Sequence, residues 1–227
     1  MSDSLATVAA ASDVLISCLF SDGQLLDAGG GPDGIAANAR PGCVFVSHTT
    51  GTSATLRMLE KWSAGSLTVC DAPVSGTAQD IERGDLTVLV GGPDEAVERV
   101  RPVVGAYART VMATGELGSA LAVKLVNNVL FAANAQLVAA ALESGQSLGV
   151  KPELLLDALT VCSGDSVAAQ HMRRLGGAAR FAEAVSPFLS KDIEAALAAA
   201  DDVGARLGLL ERTATTGPLA LRVPFGS

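Results

Sequence analysis

This chain has few residues with which to build most kinds of active site. Among its 227 residues there are only two histidines and four cysteines. Cys18, Cys43, Cys70 and Cys162 show no CxxC spacing, so metal-ligand and dithiol readings are weak and a reducing cytoplasm is the default compartment. His48 and His171 both read as structural, and His171 has no motif around it. Aromatic residues are scarce at 4% and the net charge is −8, which argues against nucleic acid or an anionic membrane surface as partner. The opening MSDSLATVAAASDVLISCLF has an apolar middle but carries Asp3 and no Lys or Arg, unlike a secretory signal. Apolar runs are interrupted by polar residues, and the longest holds Lys124, Asn127, Asn128, Asn134 and Gln136, which argues against a membrane span.

The residues present divide into two regions. Residues 1–114 alternate β-branched runs with helical stretches, as α/β sheets do, with strands expected at 13–19, 43–47, 67–71, 86–91 and 109–113. Gly91-Gly92 followed by Pro93, Asp94 and Glu95 marks a helix start, with the proline at the first helical position. From Gly115 the strand signals stop. A helix of about 30 residues, near 45 Å long, precedes helical stretches at 152–161, 165–175 and 187–207. The expected fold is a parallel α/β sheet over 1–114 and an all-helical region over 115–227, with the long helix as its spine.

Lys124 is the most informative residue on that helix. Leu117, Leu121, Val123, Leu125, Val126, Val129, Leu130 and Phe131 surround it, so the helix is expected to be buried on all sides. Asn127 and Asn128 follow at three and four residues, on the same face. Burial and the positive helix end near Gly118 are both expected to lower the lysine's pKa toward the range of a general acid and base. The competing reading is a lysine that lays its stem on the core and keeps its charge in water.

A second segment, LTVCDAPVSGTAQDIERGDLTVLVGG at 67–92, together with GELGSALAVKLVNN at 115–128, resembles the β-hydroxyacid dehydrogenase family, typified by 3-hydroxyisobutyrate dehydrogenase. VLISCLFSD, PGCVFVSHTTGTSATLR and PFLSKDIEAAL are similar to further family segments, in the family's order. The resemblance implies hydride transfer between NAD or NADP and a short 3-hydroxy acid or semialdehyde, with Lys124 as acid/base. Ser75, Gly76, Thr77 and Asn128 then hold a small carboxylate substrate, and Leu19, Phe20, Thr50 and Lys191 border the cofactor. It also implies that residues 1–114 are a truncated Rossmann-type, partial dinucleotide-binding domain, and that a homodimer forms through the helical region at 115–227.

Four departures stand out. Phe20 replaces a proline, Thr77 and Asp80 replace glycines, and a carboxylate at Asp80 would repel an anion if it faced inward. Lys191-Asp192 reads equally well as a solvated pair. Gly29, Gly31 and Gly34 match GxGxxG, but they follow a helical stretch and lead to a short helix at 35–39, so they read as a surface turn. The family's amino-terminal glycine-rich part and its usual carboxy-terminal helices have no counterpart here, which leaves the strand at 13–19 as an expected sheet edge. An inactive relic serving only as a dimerisation module is the alternative reading.

Overall fold

The computed structural model describes residues 4–221, which divide into two compact units meeting at Lys124 and Leu125. In the first, Ser4 caps α1 (Leu5–Ala11) by accepting from the Thr7 N–H. The chain then lays down β1 (Val14–Ser17), β2 (Cys43–Ser47) and β3 (Leu67–Asp71) as parallel neighbours. Every residue of β2 is buried, as the middle strand of a parallel sheet covered on both faces requires. Its side chains alternate between two cores. Val44 and Val46 pack with Val97, Val100 and Val104 of α6 (Asp94–Val104), while Cys43 and Phe45 pack with Leu25 of α2 (Asp22–Gly29) and Leu56 and Leu59 of α4 (Ser53–Trp62). Pro93 is the N-cap of α6, one residue before the expected position. As expected, β1 ends the sheet and pairs only with β2 among the described residues.

The sheet is mixed rather than wholly parallel. β5 (Leu86–Gly91) runs antiparallel to β3 and to the short β4 (Val74–Ser75), and parallel to β6 (Ala108–Gly115). The connection from Ser75 to Leu86, which holds only α5 (Ala78–Arg83), is too short for the crossover that a parallel return needs. By contrast, the link from β5 to β6 contains the whole of α6 and allows a parallel return.

The unit boundary falls inside α7 (Ser119–Ser147), the expected long helix, which has 29 residues. The second unit continues through α8 (Pro152–Leu159), α9 (Val167–Leu175), α10 (Ala178–Asp202) and α11 (Leu209–Thr215). Its core sets Val129, Ala132, Ala135 and Ala139 of α7 with Met172, Phe181 and Ile193. Gln136, buried within it, donates to the Leu219 carbonyl at 2.8 Å and accepts from the Leu219 N–H at 2.9 Å, so the segment after α11 is fastened down. The tail from Arg222 lies outside the described residues. The helix expected at 187–207 begins instead at Ala178, with Pro187 inside it; Phe181, Leu189 and Ile193 bury their side chains on either side of the proline and hold the helix through it.

α7 is not buried on all sides. Val123, Val126, Leu130 and Leu137 are each about half exposed and fall in one narrow stripe by helical spacing. The helix is long and apolar enough to cross a membrane, with a mean hydropathy of 1.5, yet 56% of that stretch is buried inside the protein, as in the core helix of a folded domain.

Candidate active site

The carboxyl ends of β1, β2 and β3 lie side by side, the position at which open α/β sheets bind ligands. The Leu19 N–H donates to Thr49 Oγ1 at 3.3 Å, drawing the loop that carries Leu19 and Phe20 to the loop that carries Thr50. Asp22, in the first turn of α2, fixes the far side of that second loop by accepting from the Thr52 N–H at 2.9 Å and its hydroxyl at 3.0 Å. Gly51 is needed there, because an added Cβ would lie 1.9 Å from Asp22 Oδ1. Phe20 is half exposed at this end of the sheet.

His48 ties the start of the Thr50 loop to Ala72 and Tyr107. The Ala72 carbonyl can only accept, so His48 Nδ1 carries the proton and donates to it, while Nε2, at 2.7 Å, accepts from the Tyr107 hydroxyl. Burial holds the His48 pKa below its ordinary value of 6.5, against the opposing effect of the Ala72 hydrogen bond. Above about pH 6.5 the ring is neutral in both the folded and unfolded chain. As pH falls through that value the unfolded chain takes up a proton that the fold resists, so stability drops. The melting temperature should therefore fall more between pH 7.5 and 5.5 in the wild type than in His48→Gln. Equal falls would remove His48 as the cause.

The Ser75-Gly76 turn is exposed and leads from β4 into α5. Gly76 has φ +146°, and an added Cβ would lie 2.6 Å from Leu86 Cδ2, so the turn requires glycine. Asp80 does not stand free to repel an anion. Its Oδ2 accepts from the Thr77 N–H at 2.6 Å and from the Thr77 hydroxyl at 2.7 Å, which commits both residues to capping α5.

Lys124 is half-buried on α7, and Asn128, buried, follows one turn later on the same face. The positive end of this helix is occupied by a carboxylate: Asp71, fully buried, accepts from the N–H groups of Gly118 and Leu121. In the second unit, Asn128 Nδ2 donates to Asp192 Oδ2 at 2.6 Å, and Asn128 Oδ1 accepts from Asn127 at 3.1 Å. Lys191 Nζ stands 2.8 Å from Asp192 Oδ1 as an ion pair, although that oxygen has no aligned hydrogen bond. Asp192 is 7% exposed, so the Lys191-Asp192 pair is not the solvated pair that sequence allowed.

The thiols offer no competing chemistry. Cys18 and Cys162 are exposed and have no nucleophile signature, and burial pushes the Cys70 thiol up to about 12. Among the described residues no group of three or more metal-ligating side chains gathers.

Residues 1–115 match the family profile described as the NAD binding domain of 6-phosphogluconate dehydrogenase, and residues 118–220 the profile described as NAD-binding of NADP-dependent 3-hydroxyisobutyrate dehydrogenase. The chain belongs to the β-hydroxyacid dehydrogenase family. A 2-(hydroxymethyl)glutarate dehydrogenase from Eubacterium barkeri is 34% identical to it over 71% of this chain and 54% of its own length. A probable mitochondrial 3-hydroxyisobutyrate dehydrogenase from Arabidopsis thaliana is 28% identical over 90% of this chain and 65% of its own. The solved structure of Mycobacterium tuberculosis 3-hydroxyisobutyrate dehydrogenase with L-serine superposes with a TM-score of 0.79 at 24% identity, covering 94% of this chain and 75% of that one, and so shares the fold. The chain spans about half the length of the first of these curated relatives.

A family nucleotide has two ends to be held, and the described residues suit them unequally. Leu19 and Phe20 follow β1 and Thr50 follows β2, with Phe20 half exposed. The pyrophosphate needs a strand, a glycine-rich turn and a helix in succession. The turn from β1 to α2, residues 18–21, has no glycine, and Gly29, Gly31 and Gly34 follow α2 rather than a strand and precede only the four-residue α3 (Ile35–Asn38).

Proposed function

We propose that this chain serves hydride transfer between NAD or NADP and a short 3-hydroxy acid or the matching semialdehyde, with Lys124 as the acid/base. The observation that carries this reading is the placement of Lys124 and Asn128 one turn apart on a helix whose start is bonded to Asp71, four residues before Ser75. In the oxidative direction the hydroxyl proton passes to the Lys124 amine, the carbon–hydrogen bond gives up its electron pair as hydride, and a carbonyl forms. A bound nicotinamide supplies the hydride acceptor. Ser75 and Gly76 hold the substrate carboxylate through hydroxyl and N–H. Asn128, oriented by its hydrogen bond to Asp192, bonds the substrate as well. Leu19, Phe20, Thr50 and Lys191 border the cofactor. Thr77 shapes the end of the substrate turn rather than bonding the substrate, since its N–H and hydroxyl are both taken by Asp80. The compartment proposed is the cytoplasm, the default for a chain whose four cysteines are all free, with a small carboxylate rather than nucleic acid or membrane as partner. The test is reduction of a panel of short aldehyde acids by NADPH, followed as loss of absorbance; a panel without any turnover would leave the reading unsupported.

The exposed stripe of Val123, Val126, Leu130 and Leu137 favours a second role, as the face on which two copies of α7 meet. A dimer by light scattering is expected, and a monomer at micromolar concentration would contradict it. A dimer with no turnover would favour the inactive dimerisation module over the enzyme.

A further inference from the structure

Asp71, the last residue of β3, is a fully buried carboxylate that the proton and hydride steps do not use. Its Oδ1 accepts from the Gly118 N–H at 2.7 Å and its Oδ2 from the Leu121 N–H at 2.7 Å. Gly118 is the N-cap of α7, because its carbonyl accepts from the Ala122 N–H at 3.0 Å, yet it has no side chain with which to cap its own helix. In a capping box two side chains share the N-cap and N3 N–H groups. Here a single carboxylate takes both, from a strand end 47 residues before Gly118. Its charge lies against the positive end of the helix, where such bonds are short and strong.

The surroundings leave the carboxylate little room to move. A Cβ added at Gly91, the end of β5, would lie 2.5 Å from Asp71 Oδ1 and 2.8 Å from Ser119 Oγ. Thr114, near the end of β6, meets Ser119 Oγ at 2.7 Å and donates to the Val90 carbonyl at 3.2 Å. The ends of three strands thus converge on the first turn of α7.

We propose that Asp71 is the positioning residue for Lys124: it locks the first turn of α7 to the strand segment that runs on into Ser75-Gly76, so base and substrate turn share one frame. This rests on the reading of Lys124 as proton carrier. Lys124 is three residues past Leu121, about 4.5 Å along the helix. A misplacement of about 1 Å at a reacting group can cost about 10²-fold in rate, so a two-point anchor beside the base has a direct consequence for chemistry.

The test uses the whole chain and needs no cofactor. Amide hydrogen exchange is followed by NMR in the wild type and in Asp71→Asn, and the four lysines are labelled competitively with acetic anhydride and read by mass spectrometry. In the wild type, Gly118 and Leu121 should exchange slowly, although first-turn amides of a helix ordinarily lack partners. Asp71→Asn, which loses charge-assisted hydrogen bonds, should speed exchange across residues 118–124 by about tenfold or more, leave residues 132–147 at wild-type rates, and raise labelling of Lys124 relative to Lys61 and Lys151. Fast exchange of Gly118 and Leu121 in the wild type overturns the proposal, and this needs no variant to fold. A change shared by all four lysines also overturns it, since that would mean global loosening. If Lys124→Ala keeps turnover while Asp71→Asn still shifts Lys124 labelling, the catalytic reading fails and the anchor stands.

Discussion

Lys124→Ala is expected to lower kcat by about 10²- to 10⁴-fold, the usual worth of a positioned acid or base, while the affinity for NADPH stays within about twofold. The expectation follows from the step itself. Without an amine at the hydroxyl, the proton must leave to water while the hydride departs, and the alkoxide that develops has no cation beside it. Lys124→Arg tests the same point more narrowly, because a guanidinium keeps the charge but does not give up its proton near neutral pH. It should be as inactive as alanine. A kcat within about tenfold of wild type in Lys124→Ala would assign the proton transfer to another group.

The second large effect concerns the cofactor. Among the described residues there is no glycine turn between β1 and α2 for the pyrophosphate. NADPH is therefore expected to bind the 227-residue chain with a Kd of about 1 mM or weaker, about 4 kcal/mol of binding free energy. Fluorescence titration measures it. A Kd near 1 µM would add about 4 kcal/mol and show that other residues cradle the phosphates. Turnover assays on this chain consequently need millimolar cofactor.

Much of this architecture can be read from sequence, because it is written in local patterns. The β-branched runs at 43–47, 67–71 and 86–91 became strands at those residues, and the largely apolar stretch after Gly118 became a helix of 29 residues. Strand direction is not local. β5 looks like any buried strand, and only the short span from Ser75 to Leu86 betrays that it must run antiparallel to β4. Burial around α7 was overread for a related reason: Val123, Val126 and Leu130 have the same composition whether they face a core, a partner or solvent. The family resemblance picked out Lys124, Ser75 and Asn128 by their motifs.

The residues that tie those motifs together were harder to see. Asp71 reads as one letter of DAPVSG, and nothing near it in sequence points to Gly118 and Leu121 as its partners. A carboxylate closing a largely apolar strand was the available signal, since a buried polar group needs hydrogen-bond partners. Asp192 looked like half of an exposed pair because Lys191 adjoins it, whereas its second oxygen reaches back to Asn128. Asp80 looked like a threat to an anionic substrate until Thr77 was found to occupy it. In all three cases the carboxylate's partners, rather than its neighbours in sequence, decide what it does.

The measurement that bears most directly on the account is isotopic. NADPH carrying deuterium at the transferable position of its nicotinamide is incubated at millimolar concentration with the protein and short aldehyde acids, and the products are read by mass spectrometry. The account predicts a 3-hydroxy acid with one deuterium on its carbinol carbon, formed by the wild type and not by Lys124→Ala. A product without the label, or equal labelling with and without Lys124, would contradict it.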